Sequence, residues 1–420
     1  MTYKTYLAHC LSTFGHKCYL GSKSDISYLT RSLRDYIYLD KGFHKGVSEK
    51  IYETVKKNNG TIISLDEEGA VDFSDNSTLL GRYSPELFKH VDYVFFWGRH
   101  QKSIIKKQIP ENSKNQITGH PRFELLKPKF HNIYDNEINR IKNIYKNFVL
   151  INTNMSFGNN IKGDSFVISN YGSRFKNITK IIKSDKDKLI AFKSLIKGIS
   201  KLKKNIVIRP HPEEDISFYI DSFKDYSNIN VAYDGSVIPW LLSCDLMIHP
   251  DCTTAIEYLF IGKNPISFLP ENFDSELVTK LPLEASTCFS NELEILKYID
   301  SNKNHNDLKN MNHPLIEDYF SFSKPSTKLI SKEINAISLR KSPEILKPLN
   351  IKQKLYLILK SIRTSISINS AESKLIRNKL KGLSYASVID FSSEFKNLDK
   401  KFEDIKISKI NKTLFLFSNK

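Results

Sequence analysis

No stretch of the sequence approaches the roughly 18 to 20 uninterrupted apolar residues that a membrane-spanning helix needs. The first residues, Met1-Thr-Tyr-Lys-Thr-Tyr6, carry no long apolar signal region either. No spanning segment is expected, and the expected location is the cytoplasm or the inner face of its membrane. Cysteine is scarce: Cys10, Cys18, Cys244, Cys252 and Cys288 are odd in number and scattered, with neither Cys-x-x-Cys nor Cys/His metal spacing. That argues against a disulfide scaffold or a zinc module and predicts reduced, mostly packed thiols. Internal repeats and low-complexity tracts are missing. So is an Asp-x-Asp pair placed after a strand, because Asp221, Asp225 and Asp234 are dispersed. Neither a metal nor a cofactor is expected.

What is present is an ordinary globular composition, 40% hydrophobic and 26% charged, with a mean hydropathy of -0.36, which rules against disorder of the whole chain. At 420 residues the chain exceeds the roughly 250 to 300 residues at which single cores stop growing. Two α/β domains and an appendage are expected. The net charge of +17 is mostly lysine, so it does not by itself imply nucleic acid. Its distribution is more informative: residues 341–420 hold about 17 basic and 7 acidic side chains, about +10 of the total.

Short apolar runs alternate with amphipathic stretches, as in a βα series. In a first domain, 1–125, the runs Cys18–Gly21, Tyr36–Leu39, Thr61–Leu65 and Tyr93–Trp97 predict buried parallel strands, with helices at 46–59 and 84–91. Residues 126–146 read as a linker. Phe148–Asn152 opens a second domain, 147–340, with further strands at Asn205–Ile208, Ile229–Tyr233, Asp245–Ile248 and Pro265–Leu269, and helices near 187–202, 237–243 and 253–262. The tail, 341–420, begins around Ser342-Pro343 and Lys347-Pro348 and turns helical from Ile351. Its apolar residues recur opposite lysines.

Two segments at strand ends carry chemistry. Arg209-Pro-His-Pro-Glu213 follows Asn205–Ile208; Pro210 and Pro212 stiffen the loop, so Arg209 and His211 can donate to phosphate while Glu213 accepts from a sugar or ribose hydroxyl. A rigid turn with solvated side chains is the alternative. The second runs from Asp245 through His249-Pro-Asp-Cys-Thr-Thr-Ala-Ile-Glu257 to Leu259. Its helix, starting near Thr253 and Thr254, has the free amides of an anion site, with Glu257 one turn on for a ribose hydroxyl pair. The plainer possibility is that Asp251 or Thr253 only caps the helix.

These paired segments resemble the donor site of bacterial surface-polysaccharide GT-B glycosyltransferases, including CMP-Kdo transferases and CDP-glycerol-type polymer transferases. Gly119-His-Pro-Arg-Phe-Glu124, Phe148–Asn154, Leu65-Asp-Glu-Glu-Gly69 and Asp40-Lys41-Gly42 strengthen the resemblance, which covers about residues 5–335. It implies a GT-B-like fold, two Rossmann-like domains facing a cleft, with the basic helical tail outside it. It also implies a nucleotide held by Arg209, His211, Pro212, Glu213, Thr253, Thr254 and Glu257. One departure is expected to matter: this sequence starts almost directly at Tyr6-Leu-Ala-His-Cys10, where such proteins begin with a strand and an acidic, arginine-bearing segment.

For the reaction, Asp66-Glu-Glu-Gly69 follows a strand and groups carboxylates that should push one pKa upward, giving Glu68, then Glu67, then Asp66 as base. His44 is a further candidate base. Asp40 and Lys41 are placed to meet an acceptor or a donor carboxylate, and Asn152 and Asn154 to meet the donor. Arg122 is expected in salt bridges near the hinge, with donor contact as an option. The expected activity is metal-independent transfer of a sugar, first choice a CMP-activated acidic sugar such as Kdo or a nonulosonic acid, to a glycan or lipid-linked acceptor. Two alternatives stay open: a CDP-polyol phosphotransferase, and a non-catalytic assembly protein with a nucleotide pocket. The tail is expected either to attach to anionic membrane through Lys352, Lys354, Lys360 and Arg363, or to pack on the body or a partner.

Overall fold

In the computed structural model, residues 2–70, 72, 75–173, 175, 177–270, 273–301, 315–340, 349–366 and 383–420 are described. The chain opens with a helix, Thr2–Ser12, and then a strand, β1 (Cys18–Gly21). β1 does not join the parallel series expected of it: it pairs antiparallel with residues 414–417 near the end of the chain. A four-residue apolar run shows burial but not strand direction.

The other runs do form parallel sheets. β2 (Ile37–Asp40), β3 (Thr61–Leu65), β4 (Tyr93–Phe96) and β5 (Lys114–Ile117) lie in sequential order in a four-stranded sheet. The second sheet contains β6 (Phe148–Asn152), β7 (Asn205–Arg209), β8 (Ile229–Val231), β9 (Leu246–His249), β10 (Ile266–Phe268) and β11 (Thr287–Phe289), in the order β11-β10-β9-β6-β7-β8. All its pairings are parallel. Every residue of β3 and β6 is buried, as strands covered by helices on both faces require. The chain therefore has two Rossmann-like units. In the second, strand order reverses at β6 and β9, and such a switch point opens a crevice at the strands' carboxyl ends.

The segments between and after the sheets depart from expectation. Residues 126–146 are not an open linker: a 3-10 turn at Pro128–Tyr134 leads into the helix Asp135–Tyr145, whose Ile141 is fully buried in the core containing Trp240 and Leu241. Residues 315–340, assigned by sequence to the second unit, pack on the first. Lys324 Nζ donates to the Ile117 carbonyl at 2.7 Å and the Thr327 amide to Glu124 at 2.7 Å. Gly119 has φ +71, and a Cβ there would collide with Ser326 Oγ; the absent side chain lets the helix Ser326–Leu339 approach.

The tail is helical only in part. Helices Ile351–Ile366 and Tyr385–Leu398 precede a hairpin, β12 (Ile405–Asn411) and β13 (Leu414–Asn419), which pairs with β1 as a third sheet. Ile405 and Ile407 alternate with Lys406 and Ser408 before a register irregularity between Lys409 and Asn411, and this short period-two pattern is a strand signal the helical reading passes over. Ser342, Pro343, Lys347 and Pro348 lie outside the described residues, as do the side chains of Lys360 and Arg363. Phe395, Phe402, Phe415 and Phe417 share one apolar core with Leu65, Trp97, Phe123 and Phe260, so the tail and both units are joined by packing. Among the described residues no helix is long and apolar enough to cross a membrane.

Candidate functional site

Parallel register brings Asn152, at the end of β6, opposite Arg209, at the end of β7, and Ile151 opposite Ile248 of β9. The two expected donor segments thus leave one sheet edge side by side. Their side chains divide into framework and cleft. Arg209 donates to the carbonyls of Asp234 and Gly235, both at 2.9 Å, and holds the turn after β8 instead of presenting a free guanidinium. The His211 amide donates to Thr153 Oγ1 and Glu214 Oε1, and its Nδ1 accepts the Glu213 amide, each at 3.3 Å. Pro212 is half-buried. Glu213 is buried and accepts from the Tyr171 hydroxyl at 3.0 Å, which occupies the carboxylate expected to meet ribose.

The centre of this loop is Glu214, which sequence reasoning missed. It is fully buried and accepts from Thr153 Oγ1 at 2.9 Å, the Met155 amide at 2.9 Å and the Tyr219 hydroxyl. Burial pushes its carboxyl up to about 7. The one available signal was a second glutamate directly after a stiffened Pro-His-Pro.

The second segment departs further from expectation. His249 is fully buried. Its Nδ1 accepts the Cys252 amide at 3.1 Å, so its proton sits on Nε2, facing Ser286 Oγ at 2.9 Å, and that hydroxyl donates to the Pro282 carbonyl at 2.5 Å. Burial lowers this imidazole to about 3; it is neutral and braces the loop. Asp251 neither caps the helix nor faces a ligand: it is buried 3.3 Å from Lys188 Nζ and accepts the Thr279 amide at 3.1 Å. Lys188 also lies 3.4 Å from Asp185, whose carboxyl burial pushes up to about 6.

Asn152 Nδ2 points at Cys252 Sγ (3.1 Å) and Thr254 Oγ1 (3.2 Å). Asn154 and Thr253 are half-buried. The helix Thr254–Phe260 has only seven residues, and its amides at Ala255 and Ile256 already donate to the Cys252 and Thr253 carbonyls. Fewer free amides remain for an anion than the sequence implied.

On the first unit, Asp66 is buried and takes the forked guanidinium of Arg82, with Nε at 2.5 Å from Oδ2 and Nη2 on Oδ1. Arg82 Nη1 also reaches Glu68 at 2.9 Å. Gly42, at φ +136, leaves room for that arginine, since a Cβ would collide with Nη2. Glu67 bonds the Tyr3 hydroxyl and lies 2.6 Å from Lys4 Nζ. The expectation that crowding raises a pKa here fails for Glu67: burial alone would raise it, but Lys4 overrides this and holds it at about 2. Asp66 is framework, Glu67 is held ionised at neutral pH by Lys4, and Glu68, with its side chain 56% exposed, is the more accessible carboxylate. Asp40 is also framework, buried and accepting from Tyr52 at 2.7 Å and the Gly42 amide at 3.0 Å. Lys41 is exposed, and its carbonyl accepts the Glu67 amide at 2.9 Å. The His44 ring is half-buried and its amide donates to Ser48.

The two halves meet in one small pocket of about 50 Å³, partly open to solvent. Glu67, Glu68, Ala70, Trp97, and Arg122 and Phe123 of the short helix Pro121–Glu124 line it from the first unit, Thr253 and Ile256 from the second. Beside it Arg122 Nε pairs with the buried Glu257 at 2.6 Å. Glu257 Oε2, His120 Nε2 and Gln101 Nε2 are buried without a hydrogen-bond partner. Trp97, which donates from Nε1 to the Asp66 carbonyl at 2.6 Å, was read only as a strand residue.

No protein-family model matches the chain, and no characterised protein matches it in sequence. Solved structures align with it in part. The wall teichoic acid polymerase TagF aligns over 73% of this chain and 74% of its own, at 12% identity and a TM-score of 0.46. The UDP-GlcNAc 2-epimerase of Methanocaldococcus jannaschii, in complex with UDP-GlcNAc and UDP, aligns over 75% and 79%, at 14% identity and 0.46. A GtfA/B complex aligns over 74% and 60%, at 12% identity and 0.36. None of the three reaches a TM-score of 0.5, so the fold assignment rests on the sheets themselves. Among the described residues no group of three or more His, Cys, Asp or Glu is arranged to hold a metal ion.

The neutral His249 has a consequence for acid stability. Its folded value, about 3, lies below the ordinary 6.5, so the unfolded chain takes up this proton first, and stability falls as pH drops from about 6.5 towards 3. His249→Gln should remove one proton from that dependence, flattening the slope by about 1.4 kcal/mol per pH unit. Urea titrations at several pH values test this; parallel slopes for both proteins would show that His249 is protonated in the fold.

Proposed function

We propose that the chain transfers a sugar from a nucleotide-activated donor to a hydroxyl acceptor in the pocket between its two parallel-sheet units. The observation that carries this reading is the joint lining: carboxylates of the first unit face Thr253 of the second, beside the switch point of β6 and β9. The donor lies on the second unit, against His211, Asn154 and Thr253, with the buried, unpartnered oxygen of Glu257 behind them. The acceptor enters past Glu68. Glu68 takes the acceptor's hydroxyl proton, the oxygen attacks the anomeric carbon, and the bond to the nucleotide breaks with its electron pair leaving on phosphate. Glu67, ionised by Lys4, favours the positive charge that develops on the sugar.

A CMP-activated acidic sugar such as Kdo or a nonulosonic acid is the first donor to test, supported by the resemblance of the strand-end segments. Arginine supply supports it less than the sequence implied, since Arg82, Arg122 and Arg209 are already engaged, and exposed Lys41 is the cation proposed to meet a donor carboxylate. The acceptor proposed is a surface glycan or its lipid-linked precursor. Transfer is proposed to need no metal; turnover lost in chelator and restored by magnesium would overturn that part.

Incubation with CMP-, CDP- and UDP-linked donors, followed by phosphorus analysis of the product, tests the reading. Sugar transfer leaves no donor phosphorus in the product, whereas phosphorus carried over would show polyol-phosphate transfer instead. His211→Ala should weaken nucleotide binding about tenfold, the loss of one charge-assisted hydrogen bond, with little change in melting. Unchanged affinity by calorimetry would move the phosphate site elsewhere.

A further inference from the structure

The helix Ile351–Ile366 is held on one side and bare on the other. Leu357 is fully buried in a cluster with Leu29, Leu349 and Leu414. Its carbonyl accepts from Asn411 Nδ2 at 3.2 Å, and the Tyr356 ring stacks on Tyr28 at 4.6 Å. This side fixes the helix to the terminal three-stranded sheet. Away from it, Ile351, Leu355, Ile358, Leu359 and Ile362 are exposed by 84%, 54%, 42%, 51% and 50%. Spacings of three and four residues place them in one stripe along the helix.

We infer that this stripe docks flat on an anionic lipid bilayer. The sixteen residues contain four cations and no Asp or Glu, and at 100° per residue exposed Lys352 and Lys354 flank the stripe on its two sides. An apolar stripe edged by cations gives both signals that stable surface binding needs, insertion into the headgroup boundary and attraction to acidic lipid. The surrounding residues 341–420 add to the attraction with their net charge of about +10. A second copy of the chain fits the stripe poorly. At a length of about 24 Å and a width of about 10 Å it offers roughly 240 Å², short of the about 800 Å² per partner of a stable interface. Pairing it with itself would also set lysine against lysine.

Docking here would bring the pocket to a lipid-linked acceptor, a consequence that rests on the proposed transfer. Vesicle binding needs neither donor nor acceptor, so it stands or falls separately. The full chain should co-sediment with vesicles of phosphatidylglycerol and phosphatidylcholine, far less with phosphatidylcholine alone, and less at high salt. The double variants Leu355→Glu/Leu359→Glu and Lys352→Glu/Lys354→Glu should each weaken binding about tenfold or more, with melting unchanged because these side chains are exposed. Wild-type protein that stays in the supernatant, or variants that bind as wild type does, would overturn the inference. So would a dimer that Leu355→Glu/Leu359→Glu dissociates, which would assign the stripe to a second copy.

Discussion

Replacing Arg82 by alanine should lower stability by about 3 to 5 kcal/mol, because it leaves a buried carboxylate without its counter-charge. Asp66 is 1% exposed, and both its oxygens are met by the guanidinium fork. The Glu68 amide also donates to that carboxylate at 2.8 Å, too little to replace a cation. Arg82→Lys should recover only part of the loss, since an ammonium keeps the charge but not the planar two-point contact. The measurement is urea unfolding at neutral pH. An Arg82→Ala unfolding free energy within about 1 kcal/mol of wild type would mean that the Arg82–Asp66 contact does not hold the fold, or that water enters to replace the arginine.

The largest expected effect on activity is that of Glu68→Gln. If Glu68 removes the acceptor proton, the amide variant should lose roughly 10² to 10⁴ in kcat. Nucleotide affinity should hold, because Glu68 lines the first-unit side of the pocket and its side chain pairs with Arg82. Glu67→Gln should behave differently: Glu67 is tied to Tyr3 and Lys4, so its loss should also loosen the Thr2–Ser12 helix and lower the melting temperature. Wild-type turnover in Glu68→Gln would remove it as the base and make His44 the next residue to test.

How far the site was legible in the sequence follows from what each feature depends on. The strands were readable because β3, β6 and β9 are short, mostly apolar runs, and full burial of parallel strands produces that pattern. Strand ends could therefore be located, and with them both loops of the second unit. The direction of β1 was not readable, because its pairing joins residues nearly 400 positions apart in sequence and no local pattern records it; the hairpin at β12 and β13 pairs locally, and its strand signal was passed over in favour of a helix. Side-chain roles were readable least. Arg209, Asp251, Asp66 and Asp40 are the residue types a ligand site uses, yet each is taken by a framework partner. Those partners, Lys188 and Arg82 among them, lie on other elements and became visible only when the chain was folded. Conversely Arg122, read as a hinge salt bridge, does make one, with Glu257 across the junction.

The central claim is a nucleotide site in the pocket between the two units, and the most direct test is thermal unfolding of the full chain with CMP, CDP and UDP added separately. A nucleotide at about 100 times its dissociation constant should contribute about 2.7 kcal/mol, a rise of about 3 °C or more for a chain of this size. The rise should be reduced in His211→Ala. Unchanged melting with all three nucleotides at millimolar concentration would contradict the claim and favour a non-catalytic assembly role for the fold.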